Sequence, residues 1–149
     1  MSDGGSCRET MIAGASASHR LRLSQADARY GGNLVAGGRI MELFGDVATE
    51  LCIRSDGDEG LLAGYSSVQF VAPAYAGDFL EVRGRIIDAG RTSREMSFEV
   101  VRYARPRYDV SDSAADLVRD PEVIARATGT CVVRRDRQRR SAAIQESKK

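Results

Sequence analysis

The hydrophobic period of this chain changes from helical to strand spacing near residue 60, and that change limits what it can fold into. In GGRIMELFGDVATELCIR, residues 37–54, the apolar positions Ile40, Phe44, Val47, Ala48 and Leu51 recur at three- and four-residue intervals, which gathers them on one face of an α-helix. Beyond the glycine-punctuated SDGDEG the period drops to two, the spacing of half-buried β-strands. In GYSSVQFVAP, Ser66, Val68 and Phe70 fall on one face and Ser67, Gln69 and Val71 on the other, with Pro73 closing the strand. In DFLEVRGRIIDAG, Leu80, Val82 and Ile86 oppose Glu81, Arg83 and Arg85, and REMSFEVVRYAR repeats the alternation with Met96, Phe98 and Val100. GRTS, residues 90–93, joins these two as a hairpin of long antiparallel strands.

Shorter signals complete the order of elements. Leu21 and Leu23 alternate with polar residues in HRLRLS and predict a first strand, with His19 just ahead of it at the surface, and GGN, residues 31–33, predicts a turn. SDSAADLVRD reads as a short helix with Ser111 or Ser113 as its N-cap. After Pro121, EVIARATGTCVVRR is rich in β-branched residues and predicts a final strand. One strand, one helix with a single apolar face and four further strands describe an α+β fold, an antiparallel sheet wrapped around a central helix.

At 149 residues the length is that of one domain, large enough for a core without metal or disulfide staples. Its net charge of +1 gives no general signature of nucleic-acid binding. Cys7, Cys52 and Cys131 are odd in number, lack CxxC spacing and read as reduced thiols of a cytoplasmic protein. No apolar run has the length of a membrane span, about 18 residues. Residues 1–19 are expected to be a flexible leader, 20–135 the domain, and 136–149 a basic, solvated tail. GxSxG, P-loop, HExxH and strand-linked GxGxxG patterns are absent, which argues against hydrolase triads, nucleotide hydrolysis, zinc proteolysis and nicotinamide binding.

The helix carries an unusual row. Glu42, Asp46 and Glu50 follow one another at four-residue spacing, and like charges so placed destabilise a helix by a few tenths of a kcal/mol per pair. Two readings stay open for the outer pair. Glu42 and Glu50 are either a solvated face neutralised by Arg39 and Arg54, or part of an acidic site whose counter-charge arrives with a ligand.

The sequence GGN…GGRIMELFGDVA, followed by VQFVAPAYAGDFLEV and GRTSREMSFEV, resembles the hotdog-fold acyl-CoA enzymes over nearly all of residues 20–135. A strand ending in F-x-x-P, a G-D after that proline and a G-R-T-S turn are the shared marks. LRLSQADARYGGNLVAGGRIMELFGDVATELCIRSDGDEGL, VSDSAAD and ARATGTCVV further resemble the branch that eliminates ammonia from 3-aminoacyl-CoA thioesters. The activity implied is that of a carbon–nitrogen lyase interconverting 3-aminobutyryl-CoA with crotonyl-CoA and ammonia, as in lysine fermentation. Alternatives are the same elimination from β-alanyl-CoA, thioester hydrolysis, or non-catalytic acyl-CoA binding.

The resemblance also implies a homodimer, or a higher assembly of dimers, whose sheets join edge to edge with active sites between subunits. No cofactor is expected beyond the coenzyme A of the substrate, and no metal, nucleic acid or membrane. Gly37 and Gly38, at the amino end of the helix, would offer backbone N–H groups to a thioester carbonyl as charge develops on it, or would relieve close packing. Asp46, about 12 Å of helix rise beyond Gly38, would be the acid–base carboxylate, with Glu42 and Glu50 binding the β-ammonium. Related thioesterases place their aspartate one residue earlier, where this chain has Gly45. Tyr30 and Asn33 could reach the acyl group or simply form the turn, and Arg91, Thr92 and Ser93 could approach the pantetheine and phosphates of coenzyme A.

Overall fold

The face running from Ile40 to Leu51 is where the core forms. The computed structural model describes residues 12–139. Its elements are β1 (Ser16–Arg22), β2 (Ala28–Tyr30), β3 (Leu34–Val35), α1 (Gly37–Asp56), β4 (Leu61–Phe70), β5 (Phe79–Ala89), β6 (Ser93–Pro106) and β7 (Ala115–Val132). The main sheet has the order β1-β5-β6-β7-β4, antiparallel throughout, and β2 with β3 makes a small separate ribbon.

α1 lies across the sheet with Ile40, Phe44, Val47, Ala48 and Leu51 buried against Leu80, Val82, Ile86, Met96, Phe98 and Val100. Each large side chain fully buried there contributes roughly 1.5–3 kcal/mol. Phe44 stacks on Phe98 with ring centroids 5.3 Å apart. The helix approaches β5 so closely at Gly84 that a Cβ there would lie 2.7 Å from Val47 Cγ1. Tyr65 ties β4 to the helix by donating to the Met41 carbonyl at 3.1 Å.

The outer face of the sheet is closed by a run of alternating charges. Arg20 opposes Glu81 across β1 and β5, Arg83 opposes Glu99 across β5 and β6, and Glu99 opposes Arg126 across β6 and β7. Ion pairs link all five in sequence, Arg20–Glu81–Arg83–Glu99–Arg126. Cross-strand opposite charges of this kind each contribute only a fraction of a kcal/mol. Among the described residues no helix is long and apolar enough to cross a membrane.

Several expectations need correction. SDSAADLVRD is not helical: β7 begins at Ala115 and its first residues pair with the far end of β6, Ala115 with Pro106 and Leu117 with Ala104. Long-range pairing overrides the local N-cap signal. Pro121 therefore lies inside β7, at an irregularity where Arg102 pairs with Glu122 but Ala104 with Leu117, and on a stretch that β4 does not reach, the kind of position a strand proline tolerates. The alternation read in β4 is broken by register shifts at Leu62/Gly64 and Tyr65/Ser67, so the half-buried residues are Leu62, Tyr65 and Val68. His19 lies within β1, paired with Val82, rather than ahead of the strand.

Residues 12–19 and 136–139, expected in the leader and the tail, are part of the fold. Ile12 is buried, and Gln138 donates to the carbonyls of Arg91 and Val133. Residues 1–11 and 140–149, with Cys7 and most of the basic tail, lie outside the described residues.

Candidate active site at the amino end of the helix

The amino end of α1 has no side-chain cap. Its N-cap residue is Ala36, which makes no side-chain hydrogen bond, and alanine there costs about 1 kcal/mol relative to serine or aspartate. The Ala36 carbonyl accepts from Arg39 N–H at 3.0 Å. Gly37 and Gly38 precede that bond, and as the first amides of a helix they have no carbonyl within it to donate to. These N–H groups carry the positive end of the helix dipole.

The two glycines differ in their surroundings. A Cβ on Gly37 would lie 2.7 Å from Phe70 Cζ and 2.9 Å from Cε1, so any side chain there must push the ring tip aside. A Cβ on Gly38 would meet nothing within 4 Å. Packing explains the first glycine and leaves open space at the second.

Beside this end is a cavity of 370 Å³ lined by Leu34, Val35, Gly37, Ile40, Phe70–Ala74 and Ile124. No polar side chain lines it, so it suits a hydrocarbon group. Its walls are fixed from behind. Val35 N–H donates to the Ala74 carbonyl at 2.9 Å, and Leu34 bridges Tyr75. Asp78 accepts from Tyr75 N–H at 2.8 Å and from Arg102 Nη1 at 2.7 Å, while the same Nη1 reaches the Pro73 carbonyl at 3.0 Å. Both partners of this pair are buried. Burial would lower the Arg102 pKa, but Asp78 and Glu122 outweigh it and hold the guanidinium above its ordinary value. The G-D mark in the sequence is thus the anchor of the loop that floors the cavity, with Arg102 a positioning residue that sequence reasoning missed.

The approach to the helix is braced by a second group. Arg39 donates to Asp27 Oδ1 at 2.9 Å, and Asp27 Oδ2 accepts from the backbone and hydroxyl of Ser24. Burial alone would raise the Asp27 pKa, but the Ser24 amide and hydroxyl with Arg39 hold it below its ordinary value. Asn33 adopts the left-handed conformation, φ 63°, which asparagine tolerates better than most residues. Its side chain accepts from Gln25 at 2.7 Å. Tyr30 is exposed.

The acidic row divides. Glu42, exposed, lies 3.4 Å from Arg39. Glu50 is held from two sides, by His19 Nε2 at 2.6 Å and by Arg54 Nε at 2.7 Å, and these two hydrogen bonds hold its carboxyl below the usual range. Asp46 is exposed and bonds to no described residue. Its neighbours on the row have cations of their own chain, and it has none. The His19–Glu50 bond spans 31 residues, and no local signal in the sequence announces it.

Glu50 and Arg54 also line a larger, polar cavity of 670 Å³ with Ser16, Ser18, Arg83 and Arg85. The helix-terminal amides and the alkyl walls belong to the smaller one, so the candidate site is placed there. Arg91, Thr92 and Ser93 form the β5–β6 turn, closed by Gly90 N–H donating to the Ser93 carbonyl. The next residue, Arg94, bonds Asp56 at the other end of α1, about 27 Å of helix rise from Gly38. One chain therefore brings Gly37, Gly38, Asn33 and Glu42 to one end and leaves Arg91–Ser93 at the other. Among the described residues no cluster of three or more His, Cys, Asp or Glu side chains is arranged to hold a metal ion.

The thioesterase superfamily model matches residues 32–106. A 3-aminobutyryl-CoA ammonia lyase of Acetoanaerobium sticklandii is 54% identical over 121 residues, 81% of this chain and 96% of the relative. The chain belongs to the thioesterase superfamily. Among solved members, the β-alanyl-CoA:ammonia lyase of Clostridium propionicum superposes with a TM-score of 0.84 at 36% identity, over 90% of this chain and 96% of that one. An acyl-CoA hydrolase of Staphylococcus aureus in complex with butyryl coenzyme A has the same fold, with a TM-score of 0.64 at 17% identity, over 85% and 67%. The helix wrapped by an antiparallel sheet is the hotdog fold of this superfamily.

Proposed function

We propose that this chain is an ammonia-lyase that eliminates ammonia from 3-aminobutyryl-CoA to give crotonyl-CoA, reversibly. The observation that carries the reading is the 54% identity over 96% of a relative that bears this activity in its name. The 36% identical β-alanyl-CoA:ammonia lyase favours the same elimination on the unmethylated substrate as the second reading.

The geometry supplies a rationale for each step. The thioester oxygen docks on the amides of Gly37 and Gly38, where enolate charge builds as the α-proton leaves, and each such donor is worth a few kcal/mol. The acyl end enters the alkyl-lined cavity, and Glu42, about 6 Å of helix rise from Gly38, takes the β-ammonium. Asp46 is the base. At about 12 Å of rise from Gly38 it is out of reach of a substrate on its own helix end, so the base for each substrate is Asp46 of the partner subunit.

A dimer of that kind joins sheets through β4, which among the described residues pairs only with β7. It also carries the partner's Arg91–Ser93 turn toward the coenzyme A phosphates. Glu50, hydrogen-bonded to His19 and paired with Arg54, supports the row from behind. Two buried reduced thiols, Cys52 and Cys131, suit a cytoplasmic enzyme.

Thioester hydrolysis is the weaker reading. Related thioesterases place their aspartate where this chain has Gly45, and a Cβ there would meet nothing within 4 Å. Packing does not force that glycine, so in a hydrolase the activation of water would fall to Asp46, one residue on. The test is to incubate the protein with crotonyl-CoA and ammonium while following enoyl absorbance and free thiol. Loss of absorbance without thiol is expected, and thiol release would replace lyase by hydrolase. Asp46→Asn is expected to lower turnover at least 100-fold with coenzyme A binding intact.

A further inference from the structure

We propose that Phe70, seated on Gly37, sets the length of acyl chain the site accepts. The inference rests on the acyl-CoA reading of the site and names a specificity-determining residue within it. Three observations carry it.

The tip of the Phe70 ring stands against the first residue of α1, closely enough that a methyl group on Gly37 would fall 2.7 Å from Cζ. The ring is therefore in van der Waals contact with the helix end that holds the thioester. Its backbone is also fixed. Phe70 pairs with Ala125 at the end of β4, and the next two amides, Val71 and Ala72, both donate to the Ile124 carbonyl at 2.8 and 3.1 Å. Finally, Val35, Ile40 and Ile124, which line the same cavity, are buried in the core, whereas Phe70 is 53% exposed. Of these walls it is the one that can be trimmed without opening the core.

An acyl chain that enters beside Gly37 then runs between the ring and the Ile40 and Ile124 side chains, and its length is limited where it meets the ring. A well-fitted apolar wall discriminates one methylene by about tenfold or more. Shortening the wall must shift the preference rather than merely weaken binding.

Binding of the saturated thioesters acetyl-, butyryl-, hexanoyl- and octanoyl-CoA tests this by calorimetry, because none carries an amine to eliminate. The wild-type chain is expected to prefer butyryl-CoA over octanoyl-CoA by at least tenfold, and Phe70→Ala to shift that ratio at least tenfold toward octanoyl-CoA. Phe70→Leu, a milder change, is expected to give an intermediate shift and replaces Phe70→Ala should that variant not fold. An unchanged ratio in the folded variants, or a wild type indifferent to length, overturns the assignment. Absence of ammonia elimination alongside a shifted ratio would instead remove the lyase reading and leave Phe70 in its role. No binding of any thioester would remove both.

Discussion

The two ends of α1 are finished in opposite ways. At the carboxyl end the chain bonds its own last turn. Gly57 takes the left-handed conformation, φ 67°, and its N–H donates to the Ile53 carbonyl. Asp56 accepts two hydrogen bonds from Arg94, at 2.9 and 3.0 Å, both side chains being buried. Arg139 N–H reaches the Asp56 carbonyl at 2.7 Å, and its guanidinium the Gly57 carbonyl at 3.1 Å. At the amino end an alanine stands where a cap would stabilise, and the space beside Gly38 is open. One end holds the fold together. The other leaves its first donors without a side-chain cap.

The largest effect is expected from breaking the finished end. Arg94→Met removes the buried guanidinium that donates twice to Asp56, which costs about 3–5 kcal/mol. Urea unfolding measures that loss, and adding Asp56→Leu should recover most of it, since a buried pair is replaced by hydrocarbon. Finishing the open end should do the reverse. Ala36→Asp supplies a cap that binds the Gly38 or Arg39 N–H, so stability is expected to rise by about 1 kcal/mol while turnover falls about 100-fold. Thermal melting and kcat together detect this trade.

A subtler distinction separates the adjacent glycines. Gly37→Ala must displace the Phe70 ring and is expected to cost about 1–3 kcal/mol, whereas Gly38→Ala enters open space and should gain up to about 1 kcal/mol from helix propensity. Equal effects on the melting temperature would mean that Phe70 does not hold the first turn.

The smallest effect concerns pH. Asp27, Glu50 and Glu81 all sit below their ordinary pKa. The stability they lend is complete above the unfolded value of about 4 and is lost as pH falls through the lower folded value. The melting temperature is expected to hold between pH 6 and pH 8, roughly, and to fall below about pH 4. His19→Gln, which removes one partner of Glu50, should make that decline slightly shallower.

What could be read from the sequence was local. The buried face of α1 and the β5–β6 hairpin follow from strict periodicity within single segments, and Gly57 from the punctuation of SDGDEG. The length of β7 could not be read, because its first residues are strand only by pairing with β6. The Asp56–Arg94 pair spans 38 residues and involves an arginine that sequence convention places at the surface. At the site, residue type was legible and environment was not. Gly37 and Gly38 are the same letter twice, and only the position of Phe70, thirty residues on, tells them apart. Glu42, Asp46 and Glu50 formed a visible row, but the hydrogen bond of Glu50 to His19 depends on how β1 lies against the helix.

The chain of alternating charges on the back of the sheet has a practical meaning for how molecules of this protein can meet. Each of its cations, Arg20, Arg83 and Arg126, already has an anion beside it. A charged surface docking on this row would first have to break one of these pairs.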